Sequence, residues 1–251
     1  MRLPRIMSAE QRSETETKDD LRVLNAQLRS LEAGERIQLL AEKFAGRIVA
    51  TTSFGLQAAV MLKLLREHAP GIPVVFIDTG YLFPETYRYA SLLEKELDFR
   101  AHVYAPRITA ARQEALHGKQ WENGPEDLNN YARIHKVEPM NRALQDLGAD
   151  AWISGLRHEH SRGRSQRDMA ERQARTLKVY PIIDWNSEKV EHFINGHDLP
   201  RHPLASAGYV TMGDWHSTSP GGSSSRESTR FKGERYECGL HLESGQQDFQ
   251  I

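Results

Sequence analysis

Between Lys18 and Phe44 the apolar residues Leu21, Leu24, Leu28 and Leu31, then Ile37, Leu40 and Phe44, recur three to six positions apart. That spacing predicts helix, and Gly34 is the natural break between two of them. The pattern then changes. "RIVATT" (47–52) is a short strand-like run, and "FGLQAAVMLKLLREHAP" (54–70) reads as a helix that stops before Pro70-Gly71. "IPVVFID" (72–78) predicts a second strand, and "PETYRYASLLEKEL" (84–97) a helix with Pro84 in its first turn. "RAHVYA" (100–105) and "ADAWISG" (149–155) predict a third and a fourth strand, the latter after a helix at "PMNRALQDLG" (139–148). A fifth strand is expected at "LKVYPIID" (177–184), then a helix at "SEKVEHFING" (187–196) with Ser187 as its N-cap.

Strands alternating with helices imply an α/β fold, a mostly parallel sheet with helices on both faces. Residues 1–17 are polar and read as an N-terminal extension, and 18–218 as one α/β domain that includes the N-terminal helices. After about residue 200 the pattern dissolves. "SPGGSSSRES" (219–228) has linker composition, so 219–251 are expected to form a flexible C-terminal tail. No internal repeat is present.

Composition narrows the function classes. The 251 residues carry a net charge of −1, so nothing points globally to nucleic acid or membrane, and an anion site must come from local clustering. No apolar run approaches the roughly 18 residues of a membrane span. The N-terminus has no apolar signal region. A cytoplasmic location is expected. Cys238 is the only cysteine, which excludes an intrachain disulfide and an iron–sulfur cluster held by four of the chain's own thiolates. The 11 histidines form no HExxH and no Cys/His pairing suited to zinc, so no metal site is expected.

Four stretches are candidates for chemistry. "TTSFGLQAAV" (51–60) falls where the first strand turns into a helix; Ser53 and Gly55 suit an anion cradle there, or an ordinary capped helix start. "FIDTGYLFPET" (76–86) places Asp78 and Thr79 at the end of the second strand, as ribose or adenine contacts or as a capped turn. "GLRHEHSRGRSQRDMAERQAR" (155–175) is arginine-rich; Arg157, beside the strand end, suits phosphate or sulfate, and the later arginines read as a solvated loop. In the tail, Arg226, Arg230, Lys232 and Arg235 precede Cys238, and neighbouring cations favour a nucleophilic thiolate, while Glu234 and Glu237 oppose it.

Taken in order, "TTSFGLQAAV", "FIDTGYLFPETY", "KVEPMNRAL", "GLRHEHS", "VYPIIDW" and "ECGLH" resemble the assimilatory phosphoadenylyl-sulfate reductases, from about residue 45 to 242. The resemblance implies an adenine nucleotide α-hydrolase-like, Rossmann-like fold. The related ATP pyrophosphatases carry Ser-Gly-Gly-x-Asp-Ser where this chain has Ser53-Phe54-Gly55-Leu56-Gln57-Ala58, which argues against ATP cleavage. Adenylyl-sulfate reductases carry cluster-binding cysteines at positions that match Tyr131-Ala132 and Asp214-Trp215-His216-Ser217, so the resemblance is to the cluster-free branch, with no bound cofactor.

The reaction so implied is reduction of 3′-phosphoadenylyl sulfate to sulfite and adenosine 3′,5′-bisphosphate, in sulfate assimilation toward cysteine biosynthesis. Reduced thioredoxin, or glutaredoxin in its place, is the implied electron donor, and the chain is expected to be a homodimer. Cys238 is the implied nucleophile, passing through an S-sulfonate. Ser53 and Gly55 are implied to cradle phosphate or sulfate, and Asp78, Thr79 and Gly80 to line the adenosine pocket. Lys136 and Arg157 are implied to neutralise the anionic groups; Arg230, Arg235 and His241 arrive with the tail. The competing expectations are a cluster-free adenylyl-sulfate reductase, an ATP pyrophosphatase, and a non-catalytic nucleotide-binding regulator.

Overall fold

The computed structural model describes residues 9–160, 164, 166–173, 176–221 and 227–230, with side chains from Asp19 onward. Eight α-helices among these are α1 (Ala9–Arg29), α2 (Ala33–Phe44), α3 (Ala58–His68), α4 (Pro84–Glu96), α5 (Ala110–His117), α6 (Pro125–Ala132), α7 (Glu138–Asp146) and α8 (Ser187–Gly196). The strands are β1 (Ile48–Thr52), β2 (Val74–Ile77), β3 (His102–Tyr104), β4 (Ala151–Ser154), β5 (Ala170–Gln173) and β6 (Thr176–Val179).

The sheet order is β3-β2-β1-β4-β6-β5. All neighbours are parallel except β5 and β6, so the expected mostly parallel sheet is present with one antiparallel edge. From β1 the chain winds outward through β2 to β3, then returns to β4 on the other side of β1. The strand order therefore reverses between β1 and β4, and the crevice at their carboxyl ends is where such sheets bind ligands.

Alternation along each strand supplies two apolar faces. Ile48 and Ala50, Val74 and Phe76, and Ala151 and Ile153 join the larger core with buried residues of α1, α2, α3, α4 and α8. Val49, Val75 and Trp152 point the other way, against Met140 and Ala143 of α7. Both faces are covered, as expected.

Several boundaries differ from the sequence pattern. Helix α1 begins at Ala9, inside the stretch expected to be an extension. The break between α1 and α2 falls at residues 30–32, not at Gly34. Glu32 caps α2, its backbone N–H received by Glu35 at 2.8 Å. Gly34 lies within α2, where a Cβ would come within 2.3 Å of the His68 ring on α3. Close helix–helix approach, not helix termination, requires that glycine. Helix α3 starts at Ala58, which leaves 53–57 as a loop after β1. Strand β6 stops at Val179, two residues before Pro181, which has no N–H for a ladder. Asn186, not Ser187, caps α8, accepting from the Lys189 N–H at 2.8 Å.

The expected tail is docked where it is described. Thr218 forms an antiparallel bridge with Arg230, Ser219 N–H donates to the Thr229 carbonyl, and Gly221 N–H donates to that of Gly208. The central part of the linker and residues 231–251 lie outside the described residues. Among the described residues, no helix is long and apolar enough to cross a membrane.

Candidate active site

A cleft of about 270 Å³ opens at the switch point between β1 and β4. Its floor is the loop after β1, with Ser53, Gly55, Leu56 and Gln57, and the turn after β4, with Gly155, Leu156 and Arg157. In the first loop Phe54 takes a left-handed backbone (φ 47°). Two contacts hold it there: its N–H donates to Thr52 Oγ1 at 3.1 Å, and its buried ring meets Phe76 edge-on at 4.9 Å. This sharp turn leaves Ser53 and Gly55 on the cleft.

Arg157 is 1% exposed. It donates to Gln57 Oε1 at 2.7 Å, to the Trp185 carbonyl at 2.9 Å and to Glu159 at 3.1 Å. Glu159 in turn accepts from Ser187 and Arg157, which hold its carboxyl below its ordinary range. His160 faces Gln57, and Arg164 donates to His160 Nδ1 at 3.2 Å. Arg164 and His160 both line the cleft.

The opposite wall is built by a helix defect. Between α6 and α7, Arg133–Val137 make one π-helical turn. Pro139, in the first turn of α7, has no N–H to return to His135, so the regular ladder cannot continue there. Such bulges redirect side chains and recur at functional sites. Here the bulge buries both His135 and Lys136. His135 donates from Nδ1 to the Thr79 carbonyl at 3.0 Å, and burial lowers its pKa. Lys136 Nζ reaches Asp214 Oδ2 at 2.5 Å.

Asp214 is 1% exposed and also accepts from Thr79 Oγ1 at 2.6 Å. Burial alone would raise its pKa, but the Lys136 ammonium, His216 and the two hydrogen bonds outweigh it and bring it down to about 2. Next to it His216 stacks on Trp121 at 3.8 Å and contacts the Tyr131 hydroxyl at 3.1 Å. Burial holds the His216 imidazole neutral, its pKa lowered to about 4. Tyr81, Trp121, Tyr131, His135, Trp215 and His216 form one aromatic group around this corner. The two segments matched above to the cluster-binding cysteines are thus neighbours in space.

The last cation comes from the C-terminal return. Arg230 is buried, donates to the Met212 carbonyl at 2.7 Å and lies against Gly213. Among the described residues of the cleft, Lys136, Arg157, Arg164 and Arg230 face a single acid, Asp214. The cleft suits a small polyanion.

Of the residues singled out in the sequence, the fold brings Ser53, Gly55, Thr79, Lys136, Arg157 and Arg230 to one cleft. Asp78 and Gly80 are not on its lining. Asp78 caps the turn instead, accepting from the Gly80 N–H at 2.9 Å and the Tyr87 hydroxyl at 2.6 Å, and Gly80 supplies the left-handed backbone (φ 78°). Arg235, Cys238 and His241 lie outside the described residues. Sequence reasoning missed Arg164, set aside with the other arginines as solvated loop, and the pairing role of Asp214. Gln57 and His160 stand within the quoted motifs, and Asp214 in the segment matched to the cluster-binding cysteines, but only the fold shows what they touch.

Residues 47–220 match the family model described as the phosphoadenosine phosphosulfate reductase domain. The chain belongs to that family. The chain is 48% identical over 222 residues to a phosphoadenosine 5′-phosphosulfate reductase of Synechococcus sp., covering 87% of this chain and 96% of that one. A protein of the same name from Alkalilimnicola ehrlichii is also 48% identical, over 88% of this chain and 91% of its own. Among solved structures, the phosphoadenylyl-sulfate reductase of Candida auris, a phosphate complex, aligns with a TM-score of 0.69 at 27% identity, over 86% of this chain and all of that one. A Candida glabrata FMN adenylyltransferase in complex with ATP shares the fold alone, with a TM-score of 0.54 at 18% identity, over 78% of this chain and 64% of that one. The reductase family and its nucleotide α-hydrolase-like fold are as expected from the motifs.

Proposed function

We propose that this reductase-family chain reduces 3′-phosphoadenylyl sulfate to sulfite and adenosine 3′,5′-bisphosphate, with electrons from reduced thioredoxin. The observation that carries the reading is the convergence of Lys136, Arg157, Arg164 and Arg230 on one cleft at the switch point of the sheet. A sulfonucleotide carrying a 3′-phosphate is a compact polyanion, and arginine forks match its phosphate and sulfate oxygens. The family relatives named for the same activity support the substrate.

Cys238 is the nucleophile in this reading. It follows Arg230 by eight residues, which places it within roughly 26–29 Å of extended chain from the cleft. The thiolate attacks the sulfur of the sulfo group; an S–S bond forms, the S–O bond to the nucleotide phosphate breaks, and the bisphosphate leaves with that electron pair. Ser53 and the cleft cations hold the leaving phosphate, and Arg235 and His241 join with the tail. A thioredoxin thiolate then attacks the Cys238 sulfur and expels sulfite. Its second thiol resolves the mixed disulfide, so the two electrons come from one dithiol. No bound cofactor enters these steps. The enzyme works in the cytoplasm as a homodimer.

The test uses reduced protein without thioredoxin, incubated with 3′-phosphoadenylyl sulfate and separately with adenylyl sulfate, followed by intact mass and peptide mapping. The expected result is one SO3 added on Cys238, faster with the 3′-phosphorylated substrate, and released as sulfite by reduced thioredoxin. Faster labelling by adenylyl sulfate overturns the substrate. Binding of both nucleotides without any adduct overturns the covalent mechanism.

A further inference from the structure

We propose that Asp214 is a positioning residue for the reaction: it fixes the Lys136 ammonium in the cleft, so that Lys136 meets the anionic groups of the substrate. This inference rests on the sulfonucleotide reading given above.

A buried carboxylate in a cleft for polyanions needs a reason, because it repels the ligand. Its two oxygens supply one. Oδ1 accepts from Thr79 at the end of β2, and Oδ2 lies 2.5 Å from Lys136 Nζ on the π-helical turn. The segment is locked in place by the Leu82–Asp214 bridge and by Trp215 N–H donating to the Tyr81 carbonyl at 2.8 Å. The carboxylate is therefore rigid with respect to the β2 turn. The ammonium lies in ion-pair contact with this rigid carboxylate, which fixes where Lys136 Nζ sits in the cleft. Burial disfavours a charged lysine, and an ionised carboxylate in contact favours it.

Other groups around the pair do not supply a second negative charge. His135 sits on the same turn, with its imidazole on the Thr79 carbonyl. The Tyr131 ring lies 5.7 Å from Lys136 Nζ, and Tyr81 is pushed by burial, Glu114 and Asp214 up to about 12, so it stays neutral. His216 Nε2 is 4.0 Å from Asp214 Oδ2, and Arg230 approaches from the C-terminal return. Asp214 is the one acid among the described residues of the cleft.

Partners of one ion pair couple in stability whatever the pair does, so the readout is catalytic: positioning predicts that removing Asp214 costs kcat/KM little once Lys136 is gone. The experiment is sulfite release from 3′-phosphoadenylyl sulfate with reduced thioredoxin, over roughly pH 6 to 9, where an unpaired buried lysine changes charge. The proteins are wild type, Asp214→Asn, Lys136→Gln, the double variant and Thr79→Val. For Asp214→Asn we expect kcat/KM to fall by about tenfold or more at neutral pH, the effect of roughly one good charged hydrogen bond. Its activity relative to wild type should fall further as pH rises, because the ammonium has lost its counter-ion. The double variant should stay within about twofold of Lys136→Gln alone, with no added alkaline loss. Thr79→Val removes the hydroxyl that donates to Oδ1 and accepts the Tyr81 N–H; it leaves Asp214 ionised and should lower kcat/KM by less than Asp214→Asn, with no added alkaline loss.

Losses that multiply in the double variant overturn the inference, as does wild-type kinetics and pH dependence in Asp214→Asn. If Asp214→Asn does not fold, the double variant and Thr79→Val decide: a wild-type kcat/KM in Thr79→Val, or a double variant well below Lys136→Gln, overturns it. A wild type that releases no sulfite overturns the reaction itself, and the inference with it.

Discussion

Arg157, at the carboxyl end of β4, donates from Nη2 to Gln57 Oε1 in the loop after β1 at 2.7 Å. The bond crosses the switch point of the sheet and joins the two loops that floor the cleft. Gln57 stands where the ATP pyrophosphatases carry aspartate. A neutral acceptor orients the guanidinium on the cleft side, while Glu159 pairs with Nη1 from outside the cleft lining. Gln57→Ala should raise the KM for the sulfonucleotide about tenfold, the equivalent of roughly 1.4 kcal/mol, and change kcat less. Steady-state kinetics with a thermal melt checks this, and a melting temperature within a few degrees of wild type separates orientation from unfolding.

Gly213, on the cleft lining, lets the Arg230 side chain of the C-terminal return pack against it. A Cβ there would come within 2.4 Å of Arg230 Nη1. The backbone of Gly213 is not left-handed, so alanine is tolerated by the chain itself. The guanidinium is the end of a long side chain, and it is what must move. Gly213→Ala should therefore displace Arg230 from the Met212 carbonyl, raise KM by roughly three- to tenfold, and cost under about 1 kcal/mol of stability. Titration with adenosine 3′,5′-bisphosphate reads the first effect, and urea unfolding the second.

The parts legible in the sequence were those with a short-range cause. Short β-prone runs marked β1, β2, β3 and β4 to within two residues, and Pro84 marked the start of α4. The switch point follows from strand order, which local pattern does not contain. Strand β5 was hidden because Ala170–Gln173 is an edge strand, polar in its second half, inside an arginine-rich stretch. Gly34 misled because a glycine that ends a helix and one that admits a neighbour look alike; the His68 ring is 34 positions away. The same reason kept Asp214 out of the candidate site: its partners Thr79 and Lys136 are 135 and 78 positions distant.

Arg36 ties α2 to the turn after β6. It donates from Nε to the Leu28 carbonyl at 2.8 Å, from Nη1 to that of Pro181 at 2.7 Å, and through both terminal nitrogens to Asp184. Burial raises the Asp184 pKa, but the Arg36 bonds and charge outweigh that and lower it overall. Arg36→Ala leaves two carbonyls and a carboxylate without this donor. The Asp184 side chain is 43% exposed, so water recovers part of the loss. The expected cost is about 2–4 kcal/mol, or a fall of roughly 5–15 °C in melting temperature for a chain of this size. Asp184→Asn, which keeps an acceptor, should cost about 1 kcal/mol. Equal costs for the two would show that the carbonyl contacts contribute little.

Three buried imidazoles make the fold sensitive to acid. His135, His202 and His216 are each held neutral by burial, and each has a lowered pKa. His202 accepts the Leu204 N–H on Nδ1 at 3.2 Å, so Nε2 carries the proton and donates to Thr86 Oγ1. In the unfolded chain all three take up protons below about pH 6.5. The unfolded state then binds more protons than the native state, and stability falls as pH falls. The stability is fully present above the unfolded value. For His216 it declines from about pH 6.5 until the folded value of about 4 is reached. Within that window one such group contributes a slope approaching 1.4 kcal/mol per pH unit. Asp214 adds nothing there, because its own stabilisation is lost only as pH falls from the ordinary carboxylate range through about 2. Urea unfolding at about pH 7.5, 6 and 5 should show a steep loss in wild type. His216→Gln, which keeps a polar planar group on Trp121 without a titrating proton, should flatten the slope by up to that one-group amount. An unchanged slope would assign the acid sensitivity to His135 and His202 instead.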